Sequence, residues 1–267
     1  VGWRVSYFSL GLLMLLIILA LALFVIKGDP RDFGLRPWGQ EETKGSEGPS
    51  NHSTSDTGIL DLRLREAMKT SPFWLLSAVM FVCGSGDFLV TTHLIPLVTD
   101  SGFSPTDAGH MLAWLGFMSM LGILAAGPLS DRMGTKVPIA MTFLLRIGLF
   151  MMVLYTHGKM SFYLFSCLFG FTLLITAPLN AILVGRLYGF SHLGLISGFT
   201  TTIHHIGGGF WAYMGGEIYD RTGSYDVAFL LSAGLSLMAF ISALLIREKR
   251  HWRFATTPQG VDEGTNP

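Results

Sequence analysis

Seven long apolar runs alternate with polar connections along this chain, and each is long enough to cross a membrane as a helix. The hydrocarbon core of a bilayer is about 30 Å thick and takes about 20 helical residues to cross. The runs are too long and too uniform for barrel strands, so the pattern predicts an all-α polytopic membrane protein. The seven runs cover residues 5–26, 73–98, 108–126, 137–156, 160–184, 195–216 and 227–246.

The first connection is much longer than the others. Its middle, 37–58, is rich in Gly, Ser, Thr and Glu without an apolar period, which is typical of disorder. Apolar residues at helical spacing then predict an interfacial helix over 59–70. The expected organisation is a transmembrane helix over 1–26, a linker over 27–72, a six-helix bundle over 73–246 and a tail over 247–267.

Composition supports a membrane protein. Only 13% of residues are charged, against roughly 25% in a soluble domain, and the mean hydropathy is +0.51. Formal net charge is zero. The bilayer and a small molecule are therefore the expected partners, with no nucleic acid. Cys83 and Cys167 both lie inside apolar runs, where we expect them to pack as small hydrophobic side chains.

The distribution of Lys and Arg predicts the orientation. Alternate connections carry 14 basic residues on one side of the membrane and 2 on the other. Because basic residues concentrate in cytoplasmic loops, we expect the linker and the C-terminus in the cytoplasm. The N-terminus of the chain then lies outside the inner (plasma) membrane.

One connection combines glycine and charge: "GPLSDRMGTK", between the third and fourth runs. Gly127 would permit close helix approach, and Gly134 could take a positive φ. Asp131 could accept hydrogen bonds from the N-terminus of a neighbouring helix. Arg132 and Lys136 could pair with carboxylates or helix C-termini. The alternative is a positive-inside loop that merely contains an acid.

The spacing G-x-x-x-D-R-x-G-x-K resembles the cytoplasmic loop motif of the major facilitator superfamily, which lies between helices two and three and recurs between eight and nine. "GWR" (2–4) resembles the outer start of helix six, and the linker resembles the central loop of that family. The six later runs then resemble helices seven to twelve. The connections at 92–109 and 214–229 resemble those of bacterial members in the branch of monocarboxylate and oxalate–formate carriers.

The resemblance has two implications. The Asp-Arg motif would act as a conformational latch, bracing helices eight, nine and eleven in one state of an alternating-access cycle. Helices one to five would be missing from this chain. Since the substrate site of this fold lies near the midplane between its two halves, the chain is expected to be a fragment that does not transport by itself.

Ionisable residues inside the runs are candidate site residues, because burying them in a membrane is costly. Asp87 could be a proton-coupling carboxylate, or an acid that faces vestibule water or pairs with a basic side chain. Arg146 could bind an anion, but a structural pair with an acid or a helix-end carbonyl is favoured because helix nine is peripheral in the family. His204 could face the cavity or be a packed, hydrogen-bonded histidine. His205 is expected at a helix contact, in a stripe of small residues with Thr201, Gly208, Gly209, Ala212 and Gly216.

The tenth family helix adds three polar or helix-bending residues. Thr176 lies in this run, Pro178 predicts a kink, and Asn180 could bind substrate or join helices. No nucleophile–base pair, phosphate loop or metal-binding motif stands out in the sequence. We therefore expect no catalysis, no cofactor and no metal.

The leading functional hypothesis is a secondary transporter of small organic anions, driven by protons or by exchange. An exporter of hydrophobic drugs would also suit the aromatic-rich spans. The alternative of another class is a seven-helix receptor, which shares the topology. The long linker after the first span and the lack of a lysine in the last span argue against a receptor.

Overall fold

The computed structural model describes residues 3–25 and 62–247, and these residues form helices and turns without a strand. The all-α prediction is therefore confirmed. The helices are α1 (Trp3–Ala20, continued by a π-helical turn Leu21–Val25), α2 (Leu64–Ala67), α3 (Ser71–Asp100), α4 (Pro105–Met133), α5 (Lys136–Tyr155), α6 (Lys159–Leu173), α7 (Thr176–Tyr188), α8 (Leu193–Thr222) and α9 (Asp226–Leu245).

The chain divides into two compact units, residues 1–55 and 56–267. In the first unit, the stretch Arg4–Leu23 of α1 and its π-helical turn has a mean hydropathy of 2.5 and is long enough to span a bilayer. The second unit is a bundle of helices. Its core consists mainly of buried Leu, Val, Ala and Phe side chains, which form two clusters.

Six helical stretches of the described chain are both long and apolar enough to cross a membrane: Arg4–Leu23, Ser71–Asp100, Pro105–Met133, Lys136–Tyr155, Lys159–Tyr188 and Asp226–Leu245. The remaining predicted run, 195–216, lies in α8. This helix is 30 residues long but less apolar, because glycines and two histidines occupy its middle. The protein is therefore a multi-pass membrane protein.

The run at 160–184 forms two helices instead of one. α6 ends at Leu173, α7 begins at Thr176, and the break lies one turn before Pro178. Proline has no N–H for the carbonyl of Leu174, four residues earlier, and its ring would clash with that carbonyl. The predicted kink is therefore present, and it opens the helix beside the cavity described below.

α3 occupies the centre of the bundle and packs most extensively on α8, with further contacts to α9 and α4. Glycine permits the close approach. A Cβ at Gly84 would overlap the backbone carbonyl of His204, and one at Gly207 would overlap that of Phe81. These two backbones therefore touch at positions where only a hydrogen atom fits.

The small-residue stripe predicted for α8 is only partly right. Gly208 is buried against α3 as expected, together with Gly207 and Gly215, which the stripe did not include. A Cβ at Gly209 would meet nothing within 4 Å, and Thr201 and His205 are exposed. The buried glycines of α8 lie against Phe81, Phe88 and Leu89 of α3.

The predicted interfacial helix over 59–70 is only a single turn, α2. Its start is capped by Glu66, whose carboxylate accepts a 2.9 Å hydrogen bond from the backbone N–H of Arg63. The predicted disordered segment 37–58 and the tail after residue 247 lie outside the described residues. The division into linker, bundle and tail stays a prediction.

Candidate functional site

A buried carboxylate near the middle of α3 joins three helices. The Oδ1 atom of Asp87 lies 2.7 Å from Nη2 of Arg146 on α5, and its Oδ2 atom lies 3.1 Å from Nε2 of His204 on α8. Asp87 is only 5% exposed. Of the surroundings expected for Asp87, the structure shows the pairing with a basic side chain.

Hydrogen bonds and a ring contact hold the side chain of Arg146 in place. Its Nη2 donates to the backbone carbonyl of Thr172 at 2.8 Å, and its Nε donates to the hydroxyl of the same residue at 3.1 Å. The guanidinium lies over the ring of Phe169, 4.7 Å from its centroid. Arg146 is 1% exposed. The structure therefore places an acid and a helix-end carbonyl around it, as expected for a structural pair.

Cys83 precedes Asp87 by one helical turn and shares its face of α3. Its Sγ lies 3.4 Å from Oδ2 of Asp87 and 3.1 Å from the hydroxyl of Thr176 on α7. Arg146 Nη1 lies 3.4 Å from the Cys83 carbonyl oxygen and 3.7 Å from its sulfur. Cys83 is fully buried in the apolar core, as expected, but α5 and α7 also bring polar groups to its sulfur.

A cavity of about 280 Å³ lies beside this network, between α3, α8 and the α6–α7 break. Asp87, Thr176, His204 and His205 all line it, together with Thr91 and Thr201. Its apolar wall consists of Met80, Phe88, Leu173, Leu174 and Ala177. The cavity therefore combines a polar end with an apolar wall.

Both histidines line the cavity, and His205 also contacts α3, as expected for a residue at a helix contact. Its Nδ1 lies 2.8 Å from the carbonyl oxygen of Thr201, one turn earlier, and its ring packs edge-on against Phe88. His204 is oriented through Asp87, while its buried Nδ1 has no hydrogen-bond partner in the described part of the chain.

Asn180 joins two helices. Its Nδ2 donates to the hydroxyl of Thr200 on α8 at 3.1 Å, and that hydroxyl lies 3.2 Å from its Oδ1. Asn180 is 2% exposed and is not among the residues that line the cavity. Of its two expected roles, the structure shows the helix contact.

A second polar junction was missed by the sequence reasoning. His93 is buried between α3, α8 and the start of α9. Its Nδ1 lies 3.2 Å from the Tyr225 hydroxyl, and its Nε2 lies 2.9 Å from the Ala212 carbonyl oxygen. A histidine inside an apolar run was the available signal, but its partners lie 132 and 119 positions away in the sequence.

The Gly-Asp-Arg motif forms the end of α4 and a turn, not an extended loop. Gly134 caps α4 with φ of 78°, as predicted. Lys136 is the first residue of α5, while Asp131 and Arg132 lie exposed in the last turn of α4. The expected close approach at Gly127 is wrong, because a Cβ there would meet nothing within 4 Å.

The described contacts of this turn centre on Thr135, which the sequence reasoning did not single out. Thr135 is fully buried. Its hydroxyl accepts a 2.7 Å hydrogen bond from Nη1 of Arg186, at the end of α7, and lies 3.1 Å from the Ser130 hydroxyl. The turn is therefore fastened to α7 through threonine.

Comparison with known proteins gives one family and several relatives. Residues 1–212 match the sequence profile of the Major Facilitator Superfamily. An uncharacterised MFS-type transporter of Bacillus subtilis, YcxA, is 24% identical over 94% of this chain and 60% of its own length. Monocarboxylate transporter 12 of Xenopus laevis is 29% identical over 63% of this chain and 37% of its own length. Monocarboxylate transporter 13 of the rat is 23% identical over 65% and 41%.

The chain thus spans about 40–60% of the length of these relatives. The relatives are named as transporters, and none of these names favours a receptor or a drug exporter. The profile covers most of the chain, from the first span into α8. This chain belongs to the Major Facilitator Superfamily.

Proposed function

We propose that the chain is part of a secondary transporter that moves small organic anions, such as monocarboxylates, by alternating access with proton coupling. The observation that carries the proposal is the buried carboxylate of Asp87, which lines a cavity and contacts both Arg146 and His204. Buried ionisable groups that face a cavity in a membrane protein are typical of ion and substrate pathways.

Charge balance links the proton to the anion. With Asp87 ionised, its charge is compensated by Arg146, 2.7 Å away. A proton taken up by Asp87 or His204 leaves an uncompensated positive charge beside the cavity, which a bound carboxylate then neutralises. Proton and anion stabilise each other in a region where an isolated charge is expensive. The pair would cross the membrane together without net charge.

The side chains that line the cavity suit a small amphipathic anion. His205 and the hydroxyls of Thr91, Thr176 and Thr201 can donate hydrogen bonds to a carboxylate. Met80, Phe88 and Leu174 offer an apolar wall for a short carbon chain. The names of the monocarboxylate transporter relatives support the same substrate class. In this fold the other half of the site comes from the partner repeat, which we propose lies N-terminal to this chain.

The same proposal includes the latch and the orientation. Asp131 and Arg132 are exposed at the end of α4 and are available to a partner that appears in one state of the cycle. The basic linker and tail favour a cytoplasmic C-terminus. The motif would then face the cytoplasm.

The test is Asp87→Asn in the complete transporter, assayed as uptake of labelled short-chain monocarboxylates into proteoliposomes. Net uptake driven by a pH gradient should be lost, while exchange of internal for external substrate survives. Asp107→Asn is the matched control, since Asp107 is a partly exposed acid paired with Lys159. An unchanged pH dependence in Asp87→Asn would refute proton coupling through this residue.

The substrate class needs a separate measurement. In the unmodified transporter, short monocarboxylates should compete with labelled substrate, whereas hydrophobic cations should not. Competition by the cations alone would replace the anion proposal with the exporter alternative.

A further inference from the structure

Three side chains of different chemistry converge beside the cavity. Cys83 supplies a sulfur, Asp87 a carboxylate oxygen and His204 an imidazole nitrogen, and these donor atoms all lie within 4.8 Å of one another. Cys83 and Asp87 share one face of α3 because they are four residues apart. α8 presents His204 to the same point, since Gly84 lets its backbone approach α3.

Two of the three donor-to-donor separations are close to those around a tetrahedral ion, and the third is at most 4.8 Å. Zinc bond lengths of about 2.0–2.3 Å to N, O and S ligands set ligand-to-ligand distances of about 3.3–3.6 Å. Oδ2 of Asp87 lies 3.1 Å from the histidine Nε2 and 3.4 Å from the cysteine Sγ. Small side-chain movements would therefore bring the three donor atoms within bonding distance of one ion. That ion would take the place of the hydrogen bonds that Oδ2 of Asp87 now makes to the other two atoms.

The surroundings suit such an ion in two ways. Arg146 binds Oδ1 of Asp87 at 2.7 Å, while Oδ2 faces His204 and Cys83, so the arginine orients the carboxylate as an outer-shell partner. Asp87 and His204 line the cavity, which gives the ion an entry path and room for water as a fourth ligand.

We propose that Cys83, Asp87 and His204 form a three-ligand site for a divalent transition-metal ion of the Zn²⁺ class, bridging α3 and α8. One thiolate, one imidazole and one carboxylate favour Zn²⁺ or Co²⁺ over Mg²⁺ or Ca²⁺, which prefer all-oxygen sites. Binding releases the thiol proton, and the neutral imidazole carries its proton on Nδ1, so that the Nε2 lone pair binds the ion. The site is a property of the bundle itself and does not depend on the transport proposal.

The test is a Co²⁺ titration of the full chain purified in detergent, followed by absorption spectroscopy. Tetrahedral Co²⁺ with a thiolate ligand gives visible d–d bands and a sulfur-to-metal charge-transfer band. We expect both, and we expect added Zn²⁺ to remove them by displacement. Absence of a thiolate band in the unmodified chain would overturn the proposal.

Two pairs of variants localise the site. Cys83→Ser should abolish the charge-transfer band, whereas Cys167→Ser, at the other cysteine of the chain, should keep it. His204→Gln should weaken Co²⁺ binding by at least about tenfold, whereas His205→Gln should leave it unchanged. Helical circular dichroism reports whether each variant is folded.

The second pair decides the matter if Cys83→Ser does not fold, because His204→Gln keeps the thiol. A charge-transfer band that persists in folded Cys83→Ser would exclude this cysteine as the ligand. Equal Co²⁺ affinity in His204→Gln and His205→Gln would exclude the histidine. Either result would overturn the site as proposed.

Discussion

Two charged regions of this bundle differ in how their charges are held. In the centre, Asp87, Arg146 and His204 are joined by short contacts across α3, α5 and α8, and Asp87 and Arg146 are almost fully buried. At the end of α4, Asp131 and Arg132 lie exposed. The paired charges of the first region stabilise the bundle. The charges of the second region are available to another partner.

The difference shows that a sequence motif and a structural centre need not coincide. The motif at the α4–α5 turn is readable because its residues are adjacent in sequence. The central network is assembled from residues that are 58 or more positions apart in the sequence. Membrane burial forces partners on the central charges, while water and headgroups satisfy the exposed ones. Substitutions in the two regions should therefore have different consequences for stability.

The largest effect is expected for Arg146→Leu. It leaves Asp87 without its guanidinium partner in a buried site, so the free energy of unfolding should fall by about 3–5 kcal/mol. Unfolding of the purified chain in detergent, followed by tryptophan fluorescence, measures it. Arg221→Leu is the control, since Arg221 is exposed and pairs with Glu217 on its own helix.

Removing the acid as well should recover much of this loss. The double variant Arg146→Leu with Asp87→Asn no longer buries an uncompensated charge. If the double variant were as unstable as Arg146→Leu alone, the ion pair would not be what stabilises the centre of the bundle. The stabilisation would then come from packing around the guanidinium.

The next-largest loss of stability is expected for a glycine at the α3–α8 contact, compared with a glycine in the α4 motif. Gly84→Ala forces a methyl group against the His204 backbone and should reduce the free energy of unfolding by about 1–3 kcal/mol. Gly127→Ala, in the α4 motif, places its methyl in open space and should cause no loss. Thermal unfolding of both variants measures the contrast. Equal losses would mean that the α3–α8 contact is looser than described.

A smaller effect is expected for Thr135→Val, within the turn itself. The change removes the hydroxyl that accepts from Arg186 and contacts Ser130, which should reduce stability by about 1–2 kcal/mol. Thr156→Val is the control, because that exposed hydroxyl bonds only within its own helix end. A loss no larger than in the control would show that the hydrogen bond from Arg186 on α7 does not contribute to the free energy of unfolding.

The smallest effect on stability is expected for Asp131→Asn. An exposed side chain should change the free energy of unfolding by no more than about 0.5 kcal/mol. Under the latch proposal, uptake by the complete transporter should nevertheless fall, measured in proteoliposomes with Asp220→Asn, another exposed aspartate, as control. Normal uptake kinetics in Asp131→Asn would contradict the latch.

The sequence alone determined the class of protein and the approximate course of its helices. Apolar runs long enough for a bilayer permit only helices, and proline at 178 ends α6 early for steric reasons. The Asp-Arg motif and its spacing led to the correct superfamily. The residues of interest, Asp87, Arg146 and His204, were found because charge inside an apolar run is conspicuous.

Only the tertiary structure decided which of these residues meet. Helical periodicity places Cys83 and Asp87 on one face of α3, but it does not reveal that Arg146 and His204 face the same point. The register of α8 depends on glycine contacts with α3, and these include Gly207 and Gly215, which the predicted stripe lacked. Contacts between distant helices arise from packing that no local pattern encodes, which is why both the charge network and the metal site became visible only in the folded bundle.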